Sequence, residues 1–118
     1  MLQRMDSVRD VEVARQVVSA DTAIDFIASF RRGKTTHHIL VEVKANAEPA
    51  RVRSAIWQLQ SAAEAYGADA YAVIAAPYVS PASRKICREN GVGFIDFSGN
   101  AYLRVGGLEI DHRTDTKP

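Results

Sequence analysis

The stretch AIDFIASFRRGKTTHHILVEVKAN, residues 23–46, decides how this chain is read. In its first part Ile24, Phe26, Ala28 and Phe30 fall on one face of a strand, and Ala23, Asp25, Ile27 and Ser29 on the other, because side chains of an extended chain alternate. Its last part repeats the pattern, with Ile39, Val41 and Val43 set against Leu40, Glu42 and Lys44. Between them Gly33-Lys34 suits a two-residue hairpin loop, since glycine takes the positive φ of the first turn position. With Arg32 opposite Thr35, Asp25 stands directly across from Glu42. A three-residue loop would move the pairing by one residue and separate the carboxylates, so the pairing requires an even loop or a compensating bulge.

Two carboxylates directly opposite each other destabilise a strand pair unless something positive lies between them. A divalent ion resolves the conflict. Mg²⁺, or Mn²⁺ in its place, takes one or two carboxylates together with water and phosphate oxygens, which Asp25 and Glu42 can offer. Lys44 projects from the same face one pleat further on, where it can orient a water or steady the charge of a phosphoryl transition state.

Working outward, Val11 to Ala20 is rich in β-branched residues and reads as a strand, although VRDVEVARQVV could also open as a helix. After Pro49 the recurrence of Val52, Ile56, Leu59, Ala63 and Tyr66 predicts a helix of about five turns that stops at Gly67. Its adjacent stripe is Arg51, Ala55, Gln58 and Ala62. Ala70 to Pro77 is a short apolar run of the kind buried on both faces of a sheet, and central. Ser80-Pro81 starts a second helix, which stops at Asn90-Gly91. VGFIDF, AYLRV and LEIDH, separated by SGN and GG, close the chain as strands, the last of them a short β-meander. The order is three strands, helix, strand, helix, strands: an α/β fold with a mixed central sheet flanked by helices.

With 118 residues, 47% apolar and 25% charged, the chain is one globular domain, expected over residues 1–111, with HRTDTKP (112–118) as a frayed, disordered tail. A net charge of +1 excludes nucleic-acid binding by bulk electrostatics, so any such face must be local. Arg51 near the carboxylates, and Arg31, Arg32 and Lys34 at the hairpin tip, are the candidates for it. The single cysteine, Cys87, reads as core and fits a reducing compartment; without a membrane span or signal peptide, a cytoplasmic protein is expected. His37 and His38 point to opposite faces and cannot share a metal. Asp21 and Asp96 read as turn residues, and Lys85 and Arg88 as solubilising charge.

AIDF followed by LVEVKAN, with sixteen residues between Asp25 and Glu42, resembles the PD-(D/E)XK nuclease superfamily, also called restriction-endonuclease-like. The resemblance covers roughly Val11 to Ala75. It implies an α-β-β-β-α-β core and a Mg²⁺-dependent or Mn²⁺-dependent phosphodiesterase acting on DNA. Asp25, Glu42 and the backbone carbonyl of Val43 are then metal ligands and Lys44 the catalytic lysine. IWQLQ is similar to the QL pattern of some branches, which implies Gln58, or secondly Gln60, as the remaining site residue. Two departures stand out: Ile24 replaces the nominal proline, and the family's first helix can be at most Leu2 to Arg9. Small size points to a homodimer or a partner protein. The alternative is a non-catalytic DNA-binding or regulatory module that keeps the nuclease fold.

Overall fold

A computed structural model of the chain describes residues 9–14, 24–67 and 69–114. Its elements are β1 (Arg9–Ala14), β2 (Phe26–Arg32), β3 (Thr35–Val43), α1 (Pro49–Tyr66), β4 (Ala70–Ala76), α2 (Pro81–Glu89), β5 (Gly93–Asp96), β6 (Ala101–Val105) and β7 (Leu108–His112). The seven strands form one sheet in sequence order, with β3, β4 and β5 parallel and the remaining pairs antiparallel. This is the mixed sheet with a C-terminal meander that the sequence predicts. β1 enters two residues earlier than Val11 and carries a bulge between Arg9 and Glu12. Residues 15–20 of the expected first strand, Asp21, and Leu2 to Val8 of the possible first helix lie outside the described residues.

The hairpin closes as its chemistry requires. Gly33 sits at φ 62°, and Arg32 pairs with Thr35. Every pair from there to Phe26–Val41 keeps the same register. The ladder stops there: Asp25 donates its backbone N–H to Val41 O at 2.8 Å, so Asp25 and Phe26 both face Val41 as in a bulge, and Asp25 is offset from the direct pairing with Glu42 that an uninterrupted register would give.

Parallel strands need crossovers, and α1 and α2 supply them on the same side of the sheet. Pro49 stands in the first turn of α1, where a missing N–H costs nothing. Ser80 caps α2 by accepting from Ser83 N, with Pro81 following. Under the helices lie Leu40, Leu59, Ile74, Val52, Phe94 and Cys87, all essentially without solvent contact. Each of the large aliphatic chains contributes on the order of 1.5–3 kcal/mol by leaving water. Burial pushes the Cys87 thiol up to about 12, so it behaves as an apolar filler, as expected.

The other face of the sheet carries no described helix, and the sheet curls over it. Beyond Tyr102 the β6 backbone leaves β5, and Arg104 N donates instead to the Tyr71 hydroxyl of β4 at 3.2 Å. The β6–β7 turn reaches across to the β2–β3 hairpin, where Arg32 Nη1 donates to Gly106 O at 2.9 Å. A Cβ at Gly106 would fall 2.5 Å from His37 Nε2. The hairpin-tip arginine offered by the sequence as a nucleic-acid contact is therefore engaged inside the fold.

Gly93 makes the curl possible, since a Cβ there would lie 2.7 Å from Tyr102 O and 2.9 Å from Leu103 Cδ2. Backbone cannot yield as a side-chain tip can. Gly93→Ala is expected to cost about 1–3 kcal/mol through overpacking. A urea midpoint that falls at unchanged slope is the measurement; an unmoved midpoint would show that β6 can retreat freely.

The tail begins later than the sequence suggests. β7 includes His112, whose Nδ1 lies 2.7 Å from Gly99 O, and Thr114 N donates to Asn100 Oδ1 at 3.0 Å. A polar composition resembles a frayed end, but these side chains have partners in the turn before β6. Residues 115–118 lie outside the described residues.

Candidate active site

Asp25, Glu42 and Lys44 meet at the end of the β2–β3 hairpin away from its turn. Strand alternation places Glu42 and Lys44 on the same helix-covered face as Leu40, at the C-terminal end of β3, and Asp25, just before β2, lies close enough to act on the Glu42 carboxyl. Asp25 is exposed, but one of its oxygens is held: Val43 N donates to Oδ2 at 2.8 Å. This bond fixes the carboxylate against the strand that carries Glu42. Lys44 continues the ladder, its N–H donating to Ala75 O at 2.7 Å. Its Nζ lies 2.5 Å from Glu42 Oε1.

Glu42 is only 3% exposed, although it is charged and next to a second carboxylate. Its Oε2 is buried and has no hydrogen-bond partner. An unsatisfied buried carboxylate oxygen is costly, and native chains keep one where a cation or substrate completes it. Burial pushes the Glu42 carboxyl above its ordinary value of 4.5, and Asp25 adds to the rise; the hydrogen bond and charge of Lys44 act the other way.

A raised carboxyl holds its proton more tightly in the folded chain, so its stabilising contribution is complete below about pH 4.5 and lost as pH rises through the raised value. Metal-free wild type is therefore expected to lose melting temperature relative to Glu42→Gln as pH is raised from 4 towards neutrality. Parallel melting curves would contradict it.

The remaining sequence candidates divide. α1 turns Arg53, Trp57 and Gln60 towards α2, where Gln60 Nε2 donates to Asn90 O at 2.6 Å. The opposite flank, with Arg51 and Gln58, consequently looks towards β3. Gln58 is exposed and makes no hydrogen bond to Asp25, Glu42 or Lys44. Gln60, the second choice, is committed to Asn90. Arg51 is exposed in the first turn of α1, at the site's end of the helix. Arg31, Arg32 and Lys34 are at the other end of the hairpin: Arg32 is seven residues from Asp25, about 23 Å along a strand.

His37 and His38 do lie on opposite faces. His38 Nδ1 is 2.8 Å from Ser29 Oγ, its ring meets Tyr66 at 5.0 Å, and His37 packs on Phe30 at 5.2 Å. Arg88 does more than solubilise, lying 5.4 Å from the ring of Phe94 and 5.3 Å from that of Tyr102. Asp96 is structural: it is 3% exposed and accepts from Val79 N, Ser98 N, Asn100 N and the Asn100 amide. Sequence reasoning singled out neither Tyr78, which lines a groove that includes Ala45 next to Lys44, nor Arg84, which packs on the Tyr78 ring; no spacing or motif marks them.

A mixed sheet with both crossover helices on one face is the architecture of a restriction-endonuclease-like domain, and Glu42 and Lys44 stand at the C-terminal end of its interior strand β3. The family model described as Restriction endonuclease (Mrr_cat) matches residues 1–100, and the chain belongs to that family. Among solved structures it is similar to a repair endonuclease from Pyrococcus abyssi, with TM-score 0.58 and 16% identity over 75% of this chain and 39% of that one. It is also similar to EndoMS in its dsDNA2 complex, with TM-score 0.50 and 15% identity over 80% of this chain and 40% of that one. The chain thus spans about two fifths of the length of either structure. No curated protein matches. Among the described residues no helix is long and apolar enough to cross a membrane.

Proposed function

We propose that this domain hydrolyses phosphodiester bonds of DNA with the help of Mg²⁺ or Mn²⁺. The observation that carries the reading is the buried, partnerless Oε2 of Glu42 beside the exposed Asp25 carboxylate. Among the described residues no group of three or more His, Cys, Asp or Glu could hold a metal, but Mg²⁺ commonly makes do with one or two carboxylates. Asp25, Glu42 and the carbonyl of Val43 would hold the ion. When bound, it supplies Lewis acidity at the phosphate and a more acidic water.

The chain's own residues do the rest. Asp25 is held by Val43 N, so one of its oxygens needs no reorganisation on loading. Lys44 exchanges Glu42 Oε1 for the attacking water or a phosphate oxygen, where its charge steadies the transition state. Gln58, on the flank of α1 that looks towards β3, positions water or phosphate after a change of rotamer. Arg51 at the site, and Arg31 and Lys34 further along, contact the DNA backbone and set its path without reading sequence. DNA as the substrate is supported by the restriction endonuclease family and by the dsDNA complex of the second similar structure. So small a domain presents little surface for base reading, which favours action as a homodimer or with a partner.

The test is incubation of the purified chain with supercoiled, linear, single-stranded and branched DNA, and with RNA, in Mg²⁺ or Mn²⁺. Cleavage of DNA that stops on adding EDTA is expected. Intact DNA in every condition would end the reading.

A further inference from the structure

Immediately beyond Lys44 the chain builds a groove of about 410 Å³ between the β3–α1 connection and the β4–α2 connection, lined by Asn46, Glu48, Pro49, Pro77 and Tyr78 among others. Its walls are tied together. Ala47 and Val79 form a parallel bridge, and the buried Ser83 Oγ donates to Ala47 O at 2.6 Å. Tyr78 is half-buried, and among the described residues its hydroxyl has no hydrogen-bond partner.

Behind the tyrosine stands an unexpected cation. Arg84 is 8% exposed and, among the described residues, in no ion pair. Arg84 packs its stem into the fold, and among the described residues none of its guanidinium nitrogens is buried without a partner. It holds this groove wall: Nε donates to Val79 O at 2.7 Å, and the guanidinium lies 5.6 Å from the centre of the Tyr78 ring. One ring face is thereby occupied by a positive charge, while the ring still lines the groove.

The lining tells which part of a nucleotide fits. Glu48 would repel a phosphate, whereas Pro49, Pro77 and the tyrosine ring suit a flat apolar surface. Asn46 already spends Oδ1 on Glu48 N at 2.8 Å and keeps its amide N–H groups free for a base edge. We propose that the groove receives the base of the nucleotide next to the scissile phosphate, with Tyr78 as its stacking contact and Arg84 as the positioning residue for Tyr78. This rests on the nuclease reading of the adjoining carboxylates, and it places the phosphate towards Lys44 and the base beyond it.

The test uses a single-stranded oligodeoxynucleotide containing 2-aminopurine, with Ca²⁺ replacing Mg²⁺ to hold back cleavage. Wild type is expected to bind and quench the probe. Tyr78→Leu should weaken binding on the order of fivefold or more and abolish the quench, while Tyr78→Phe keeps both within about twofold. Arg84→Met should lose the quench and Arg84→Lys recover part of it, a rescue that a merely structural arginine would not give. Binding and quench by Tyr78→Leu equal to wild type, or no binding by wild type, overturns the groove. Wild type that quenches the probe but cleaves no DNA with Mg²⁺ or Mn²⁺ removes the nuclease reading alone. Unchanged KM and kcat in Tyr78→Leu remove the groove alone.

Discussion

Lys44→Ala is expected to lower DNA cleavage on the order of 10²–10³-fold while the domain stays folded, the loss typical of removing one preorganised donor from a transition state. The fold should tolerate the change because the lysine's structural bond is the backbone one to Ala75 O, and its side chain is 34% exposed. What the substitution removes is the 2.5 Å contact with Glu42, which leaves both oxygens of that buried carboxylate without a protein partner. Binding of Mn²⁺, followed by its electron-spin signal, should therefore hold or strengthen in Lys44→Ala. It should weaken in Asp25→Ala. A lysine variant that cleaves within about threefold of wild type, or one that no longer binds Mn²⁺, would contradict the division of roles.

The largest effect on stability is expected from Asp96→Ala. Its carboxylate gathers three backbone N–H groups and the Asn100 amide at 2.9 to 3.2 Å, in a site with almost no solvent. Truncation orphans these donors together, and each stranded donor costs about 1–3 kcal/mol before relaxation. A loss of about 3–5 kcal/mol is expected in denaturant unfolding, within the range for breaking a buried charged network. Asp96→Asn should cost less, since one acceptor oxygen remains. A variant within about 1 kcal/mol of wild type would mean that water replaces the carboxylate. The effect should also reach the groove, because Val79 takes Asp96 on its N–H and Arg84 on its carbonyl.

The sequence made the hairpin legible because a Gly-X loop fixes the register from Arg32–Thr35 to Phe26–Val41, but the offset of Asp25 just beyond it carries no local signal. Both helices were equally plain, each with a proline in its first turn and an apolar stripe. What stayed hidden was everything decided between distant segments. Arg32 looks like a free surface charge until the β6–β7 turn arrives beside it, 74 positions along the chain. Asp96 reads as an ordinary turn aspartate because its partner Val79 lies on another connection. Periodicity groups Gln58 with Arg51 on one flank of α1, but it does not settle a rotamer. Arg84 and Tyr78 carry no local pattern at all: what links them is the guanidinium lying over the ring, which only packing reveals.

The bond between Arg32 and Gly106 closes the curled sheet at the turn end of the hairpin, whereas Asp25 and Glu42 occupy the opposite end. Mechanically the domain resembles a spring clip pinned at its back. The pin stands about 23 Å along the strand from Asp25, so a change at Arg32 or Gly106 alters how the sheet closes without touching the carboxylates themselves.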